Sequence, residues 1–411
     1  MNTPTVKPDF SDIDKNLAAM GVELDTGTEQ EKPRPGDIQN LDLDPGKYSF
    51  GARVEQMGTD EPQRKYILDS IMIEGVTGLV YAEGGVGKSF FYHQLGLALS
   101  TGRQWGPFKP ARAYKVLYLA GEDDDTELNF RTWHINKVMN PDLDGYPNNF
   151  VPVSLTRYEK SLMAGDPSAG LKRAGAYYKL IDLIRAAGEQ HGAFDIVILE
   201  PLSRFYGGLS ENDNAVGSFF IEGLDIMKSE LELSALLMAH HVSKAGHTDE
   251  TPDNPRGASS ILDNVRWGMS MGHMQKKTAE NHGISPAHCR RYVAYQLRKT
   301  NYTASWSAPY YFERSTEHQG VLIPCNIRKN RLIKASSYLS EALSGLLPAL
   351  YTRSAIHKHE AAIKPIRDGL KEQFNMRVCD IPALIDFAIE NHYLTIDGGK
   401  VKPLEFDTSE R

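Results

Sequence analysis

The sequence predicts an α/β fold with a mainly parallel sheet, and two patterns in its central part support this prediction. Short apolar runs of strand length alternate with longer helical stretches, as in sheets that carry helices on both faces. A glycine-rich loop joins the first of these runs to a helix. The predicted strands are residues 77–83, 115–122, 194–201 and 234–241. Ligands of such folds bind where the strands end, and polar residues stand at those ends here.

The segments around this region differ in composition. Residues 1–47 hold ten acidic and five basic residues without an apolar period, which predicts a disordered acidic tail. Aromatic and β-branched residues in 291–314 predict an antiparallel hairpin at the sheet edge. Helical stretches followed by a turn at Asp397 predict a small winged-helix-like α+β module. The predicted boundaries are 1–47 for the tail, 48–325 for the α/β domain, 326–337 for a basic linker, 338–405 for the module and 406–411 for a second tail.

Composition narrows the class of protein. A chain of 411 residues with 41% hydrophobic residues can build a large core. No apolar run reaches the length of a membrane span and no signal peptide is recognisable, so we expect a cytoplasmic protein without a membrane partner. The three cysteines, Cys289, Cys325 and Cys379, lack metal-site spacing and are expected to be free thiols. The net charge of -7 neither favours nor excludes a nucleic-acid partner.

The glycine loop "AEGGVGKS" spans Ala82 to Ser89 and has the context of a phosphate-binding Walker A loop. Its glycines allow backbone N–H groups to turn toward a phosphate. Lys88 is expected to reach the β and γ phosphates, and Ser89 to supply a hydroxyl to Mg²⁺. Ala82 replaces the usual first glycine, which a negative φ would permit. The predicted nucleotide-binding residues are Glu83, Gly84, Gly85, Val86, Gly87, Lys88, Ser89 and Phe90.

Two carboxylates end predicted strands near this loop. Glu122 ends the second strand, where it could orient an attacking water, while the aspartates after it could instead form an acidic helix N-terminus. Glu200 ends "DIVILEP", a strand like Walker B in which aspartate is usual, and is the second predicted metal ligand beside Ser89.

Histidines and cations complete the set of candidates. His240 and His241 end the fourth strand, and because neighbours on a strand point to opposite faces, one can face the nucleotide while the other packs. Two roles are open for the cations downstream. They are either solvated surface groups, or they complete the nucleotide site of a neighbouring subunit in a ring. These cations are Arg256, Arg266, Arg298 and Lys299.

In this order, the motifs resemble the RecA-fold AAA ATPases of the plasmid RepA-type, the hexameric replicative DNA helicases. The motifs are "AEGGVGKS", "LAGEDDD" with Arg131, "VILEPLSRFYGG", "LLMAHHVSKAG", "RGASSILDNVRW" and "RKTNY", within residues 66–315. The resemblance implies a RecA-like P-loop NTPase that uses ATP and Mg²⁺. It also implies that Glu122 is the catalytic carboxylate, that His240 and His241 are the sensor and that Arg266 is the arginine finger.

The resemblance further implies single-stranded DNA binding in a central pore. The corresponding loops are 203–215 and 243–257, with Arg204, Lys244 and Arg256 as phosphate contacts. An ATP-driven helicase is therefore one expected function, and a non-translocating DNA-binding regulator or origin protein is another. A recombinase-like filament is a third. The C-terminal module could bind duplex DNA or other replication proteins, because eight acidic residues offset its basic ones.

Overall fold

The computed structural model describes residues 43–59, 61–139, 148–210, 213–241, 259–344, 356, 363–397 and 400–403. The chain divides into two compact units, residues 1–61 and 62–411. Two helices form the described part of the first unit, α1 (Pro45–Tyr48) and α2 (Phe50–Met57). Residues 1–42 of the predicted tail lie outside the described residues. Its last residues, 45–47, belong to α1.

The second unit is built on a nine-stranded sheet. Outside it, β1 (Tyr66–Leu68) pairs with β2 (Met72–Ile73) and β6 (Met163–Asp166) with β7 (Gly170–Arg173). The strands of the sheet are β3 (Val76–Ala82), β4 (Val116–Ala120), β5 (Phe150–Ser154), β8 (Ile196–Glu200), β9 (Ala235–His241), β10 (Trp267–His273), β11 (Tyr292–Thr300), β12 (Tyr310–Arg314) and β13 (Leu322–Cys325).

The spatial order of these strands is β13-β12-β11-β10-β3-β9-β8-β4-β5. The six strands from β10 to β5 are parallel, and β11, β12 and β13 continue the sheet in antiparallel pairing. This confirms the α/β fold with a mainly parallel sheet. It also confirms the antiparallel hairpin at one edge, to which the structure adds β13.

Helices cover both faces of the sheet. They are α3 (Lys88–Thr101), α4 (Asp125–Met139), α5 (Gly175–His191), α6 (Asn214–Glu230), α7 (Ser259–Asn264) and α8 (Lys276–Asn281). Alternate residues of β3 enter different cores: Val80 packs in the core with α3, whereas Leu79 and Tyr81 pack in the core with α5 and α6. The sheet is thus the middle of three layers, and β3 lies near its centre.

An aromatic cluster joins α3 to the edge hairpin. Phe312 stacks on Trp105 with ring centroids 4.6 Å apart and on Tyr295 with centroids 4.1 Å apart. Phe91, in the first turn of α3, contacts both Trp105 and Phe312. Burial of these large side chains fixes the hairpin against the helix that follows the glycine loop.

The C-terminal residues form a module with its own core. Its elements are α9 (Ile327–Ser344), α10 (Lys364–Phe374), α11 (Ile381–Glu390), β14 (Leu394–Asp397) and β15 (Lys400–Pro403). Helices followed by an antiparallel hairpin are what the sequence predicted. The predicted linker, 326–337, is instead the first half of α9, because Ile327 packs beside Met274 and Tyr311 while Ala335 enters the core of the module.

Candidate active site

The glycine loop lies between β3 and α3, at the carboxyl end of β3. Gly85 and Gly87 have φ values of 79° and 107°, a region that side chains disfavour, so these two glycines shape the turn. Ala82 is the last residue of β3 and keeps a negative φ, as its place in a strand requires. Gly87 is the N-cap of the 14-residue α3, so the N-terminus of that helix opens onto the loop and favours an anion.

Lys88 is buried inside this loop. Its Nζ donates to the carbonyl oxygens of Ala82 at 2.9 Å and Glu83 at 3.1 Å. Burial lowers the pKa of Lys88 to about 8, although the charges of Glu200, Glu122 and Glu83 favour the protonated form. A buried ammonium beside a helix N-terminus is suited to a phosphate chain, because the anion compensates its desolvation.

Ser89 and Glu200 form the part of the site that fits Mg²⁺. The Ser89 hydroxyl donates to Glu200 Oε1 at 2.8 Å, and the Tyr118 hydroxyl donates to Glu200 Oε2 at 2.8 Å. Burial raises the pKa of Glu200, while both hydrogen bonds oppose that shift. One carboxylate and one hydroxyl beside a phosphate site are the ligands that Mg²⁺ takes in nucleotide enzymes. Within the described residues no group of three or more His, Cys, Asp or Glu side chains could hold a metal by itself.

The two histidines at the end of β9 point in different directions, as their spacing predicts. His241 Nδ1 lies 3.1 Å from Lys88 Nζ, whereas His240 is buried with 1% of its surface exposed. Burial lowers the pKa of His240 to about 4 and also lowers that of His241, with the charge of Lys88 adding to both shifts. Both rings are therefore neutral near neutral pH, and His241 can accept a hydrogen bond from the lysine.

Glu122 pairs with the segment that follows β8. Arg204 Nε donates to Glu122 Oε1 at 2.8 Å, with 56% and 40% of the two side chains exposed. The aspartates after Glu122 lie at the N-terminus of α4, which is the alternative that the sequence offered for them. Asp124 Oδ1 accepts a hydrogen bond from Glu127 N, and Asp123 pairs with Arg131. Glu122 is thus the carboxylate of this cluster that stands apart from the helix.

The remaining residues of the predicted loop have separate places. Val86 is buried in the core, with only its backbone available to a ligand. The ring of Phe90 packs under Arg131, whose Cζ lies 5.2 Å from the ring centroid. Gly84 has no atom within 4 Å of the position of a Cβ and lies at the open side of the loop. The loop therefore presents backbone groups, Lys88 and Ser89 to a ligand.

Arg266 lies far from the glycine loop of its own chain. It precedes β10, its N–H donates to Thr77 O at 3.1 Å, and its side chain is exposed. Thr77 is five residues from the end of β3, which corresponds to about 16 Å along the strand. Lys299 Nζ donates to the carbonyls of Leu262 and Asp263, and Arg298 Nε to Ser270 Oγ. Arg256 lies outside the described residues, as do Lys244 and the loop 243–257.

Sequence reasoning missed three residues at this site. Tyr118 holds the second oxygen of Glu200, and a tyrosine inside a buried strand is a signal because its hydroxyl needs a partner. Arg314 Nη2 donates to Gly85 O at 2.8 Å. Gln94 of α3 donates to Leu322 O at 2.9 Å and accepts from Leu322 N at 2.8 Å. The last two contacts join elements more than 200 positions apart, so nothing local in the sequence indicates them.

Two further predictions concern the state of the cysteines and the presence of membrane-spanning segments. Cys289, Cys325 and Cys379 are free thiols, as expected. In the part of the chain described above, no helix combines the length and apolar character needed to cross a membrane.

Comparison with known proteins places most of the site inside a known type of domain. Residues 46–247 match a family model described as an AAA domain, a range that includes the glycine loop, Glu122, Glu200 and both histidines. Arg266 and Arg314 lie beyond it. The chain is also similar to the crystal structure of a KaiC-like protein from the hyperthermophilic archaeon Pyrococcus horikoshii OT3. That alignment has a TM-score of 0.41 and 11% identity, and covers 65% of this chain and 100% of the other.

Proposed function

We propose that this chain, whose residues 46–247 match the AAA domain family model, is an ATP-driven replicative DNA helicase of the RepA type. In this proposal six copies form a ring, ATP is hydrolysed with Mg²⁺ between neighbouring copies, and the ring moves along single-stranded DNA to unwind duplex. Three features of the described residues support it: the chemistry of the site, the position of Arg266 and a contact between Glu122 and Arg204.

The residues around the loop have the roles that phosphoryl transfer to water requires. Lys88 and the N–H groups of the glycine loop bind the phosphate chain, and Ser89 with Glu200 would hold Mg²⁺, which neutralises developing charge when bound. Glu122 orients the water and accepts its proton. His241 contacts Lys88 directly, so a change at the γ-phosphate can be passed to β9.

The position of Arg266 supports an assembly in which copies share sites. The cation is exposed at the amino-end edge of the sheet, opposite the glycine loop, and so cannot reach the phosphates of its own subunit. Arg298 and Lys299 have partners within their own subunit. A head-to-tail contact between copies would place Arg266 at the next site, and such contacts close into rings or continue as filaments.

The single observation that carries the DNA part of the proposal is the ion pair between Glu122 and Arg204. Arg204 begins the segment 203–215, in which single-stranded DNA is expected to bind. The residue that would contact a DNA phosphate is thus hydrogen-bonded to the carboxylate that would activate water. DNA binding and hydrolysis can therefore influence each other through one side chain.

A non-translocating DNA-binding regulator is the second candidate, and the helices and hairpin of the C-terminal module are the observation in its favour. Its cations are only partly available for DNA. Lys364 and Lys371 are exposed, but Arg377 pairs with Asp380, and Lys402 with Asp397. The module is therefore proposed to bind either duplex DNA or another replication protein.

Steady-state ATP hydrolysis with and without single-stranded DNA tests the proposal, with Lys88→Ala as the blank. We expect DNA to stimulate the wild-type rate several-fold and the Lys88→Ala rate to stay at background. Unwinding of a forked duplex should then require ATP and Mg²⁺. ATP binding with slow turnover that DNA does not change would refute the helicase and leave the regulator.

A further inference from the structure

Arg314 places a cation against the glycine loop from the opposite side to Lys88. It is the last residue of β12, and its Nη2 donates to Gly85 O at 2.8 Å. A Cβ on Gly87 would lie 2.9 Å from Nη2 and 3.6 Å from Cζ of the same guanidinium. The group therefore lies along the loop between Gly85 and Gly87, at a site for which the sequence motifs name no residue.

Among the described residues, the bond to Gly85 O is the hydrogen bond that the Arg314 side chain makes. A guanidinium has five N–H donors, yet the Nε of Arg314 is buried without a hydrogen-bond partner, and no described carboxylate pairs with the side chain. Burial lowers the pKa of Arg314. Holding a half-buried cation without a carboxylate partner is unfavourable, so such a group indicates a site where an anion binds.

Contacts of the neighbouring strand hold the backbone that carries Arg314 beside the helix that follows the glycine loop. Leu322 of β13 pairs with Arg314 of β12, and Gln94 of α3 bonds both the N–H and the carbonyl of Leu322. Helix α3, which starts at Lys88, is thus joined by two hydrogen bonds to β13, the strand that pairs with the end of β12 at Arg314. A preorganised donor of this kind binds a ligand without first losing conformational freedom.

The side of the loop indicates which part of a nucleotide Arg314 contacts. Strand β3 has β9 on one side and β10 on the other. His241, Glu200 and Glu122 end strands on the β9 side, so the reacting γ-phosphate and Mg²⁺ belong there. Arg314 comes from the β10 side, through β11 and β12. The non-reacting end of the nucleotide must extend to that side.

We propose that Arg314 is a nucleotide-binding residue that acts within its own subunit and donates to the α-phosphate and ribose end of ATP or ADP. This inference rests on the ATPase activity proposed above. The contact is the same before and after hydrolysis, so Arg314 contributes to the affinity for ATP and ADP and not to the transition state. Arg266 is expected to contribute to kcat and not to the affinity for ATP. Kinetic and binding measurements therefore separate the roles of the two arginines.

Isothermal titration calorimetry with ADP, together with steady-state kinetics, tests this role in Arg314→Gln. We expect the dissociation constant for ADP and the KM for ATP to rise roughly tenfold to a hundredfold, the effect of losing a hydrogen bond to a charged group. The kcat at saturating ATP should stay within about threefold of the wild type. Arg314→Lys, which keeps the charge, should bind ADP with intermediate affinity. Arg291→Gln removes a nearby cation that pairs with Glu313 and is the matched control.

Thermal unfolding separates ligand binding from a structural clamp on the loop. Removing a half-buried cation that lacks a carboxylate partner should leave the melting temperature of nucleotide-free protein unchanged or higher, while the stabilisation by ADP decreases. A lower melting temperature without nucleotide and a wild-type affinity for ADP would overturn the proposal, as would a loss of kcat with unchanged affinity. If the wild-type protein itself bound neither nucleotide, the ATPase function would fail together with this inference.

Discussion

Replacing Arg204 with alanine should release Glu122 and raise the basal rate of ATP hydrolysis. Arg204 Nε and Glu122 Oε1 are 2.8 Å apart, and for two unit charges at this distance Coulomb's law gives an attraction of ~1.5 kcal/mol in bulk water. The side chains are 56% and 40% exposed, so solvent and side-chain entropy reduce the contribution to about 0.2–1 kcal/mol. If the pair must break before Glu122 can orient water, its loss accelerates basal turnover by about 1.4- to 5-fold.

Steady-state ATPase assays of Arg204→Ala with and without single-stranded DNA measure this effect. We expect a higher basal rate and a smaller stimulation by DNA, because DNA no longer has an ion pair to break. Arg185→Ala is the matched control, since Arg185 is an exposed arginine that pairs with Asp182 inside α5. A basal rate and a DNA stimulation that both equal those of the wild type would refute the coupling between the two residues.

Three further changes test other parts of the structure. Arg266→Ala should lower kcat by about 10³-fold or more with ATP binding preserved in a binding assay, the size expected of an arginine finger, and a wild-type rate would remove that role. Because burial raises the pKa of Glu200, protons compete with Mg²⁺, and the Mg²⁺ concentration for half-maximal turnover should be higher near pH 6 than near pH 8. A requirement that does not vary with pH would contradict this. Phe312→Ala should lower the free energy of unfolding by about 3–5 kcal/mol in urea titrations, because Phe312 is fully buried between Trp105 and Tyr295, and a loss below about 1 kcal/mol would contradict that packing.

The parallel sheet and the glycine loop were predictable because their signals are local. An apolar run of strand length and a loop that begins a helix can be read within a few residues. The end of β8 at Glu200 was predictable from the polar residue that closes an apolar run, and the opposite directions of His240 and His241 follow from the two-residue period of a strand.

What could not be predicted depends on contacts between distant residues. Arg314 reaches Gly85 across 229 positions, and Gln94 reaches Leu322 across 228. The strand β10 was missed because glycine and serine interrupt its apolar residues. The basic residues at the start of α9 predict a linker. The structure instead buries Ile327 of α9 against residues of α8 and β12, and these partners are distant in the sequence.

Residues 322–344 run from β13 into the C-terminal module without a break. Helix α9 is therefore the connection between the large sheet and the module. Helix α9 begins two residues after β13 and has 18 residues, which corresponds to a rod about 27 Å long. Arg331 of α9 bonds Asn281 at the end of α8, and Asn375, which follows α10 in the module, bonds the same residue, so the module is tied to α8 at a second point. A tilt of about 5° at the hairpin would move the far end of such a rod by about 2.4 Å. Because α9 is continuous, a tilt of the edge strands would be carried into the module.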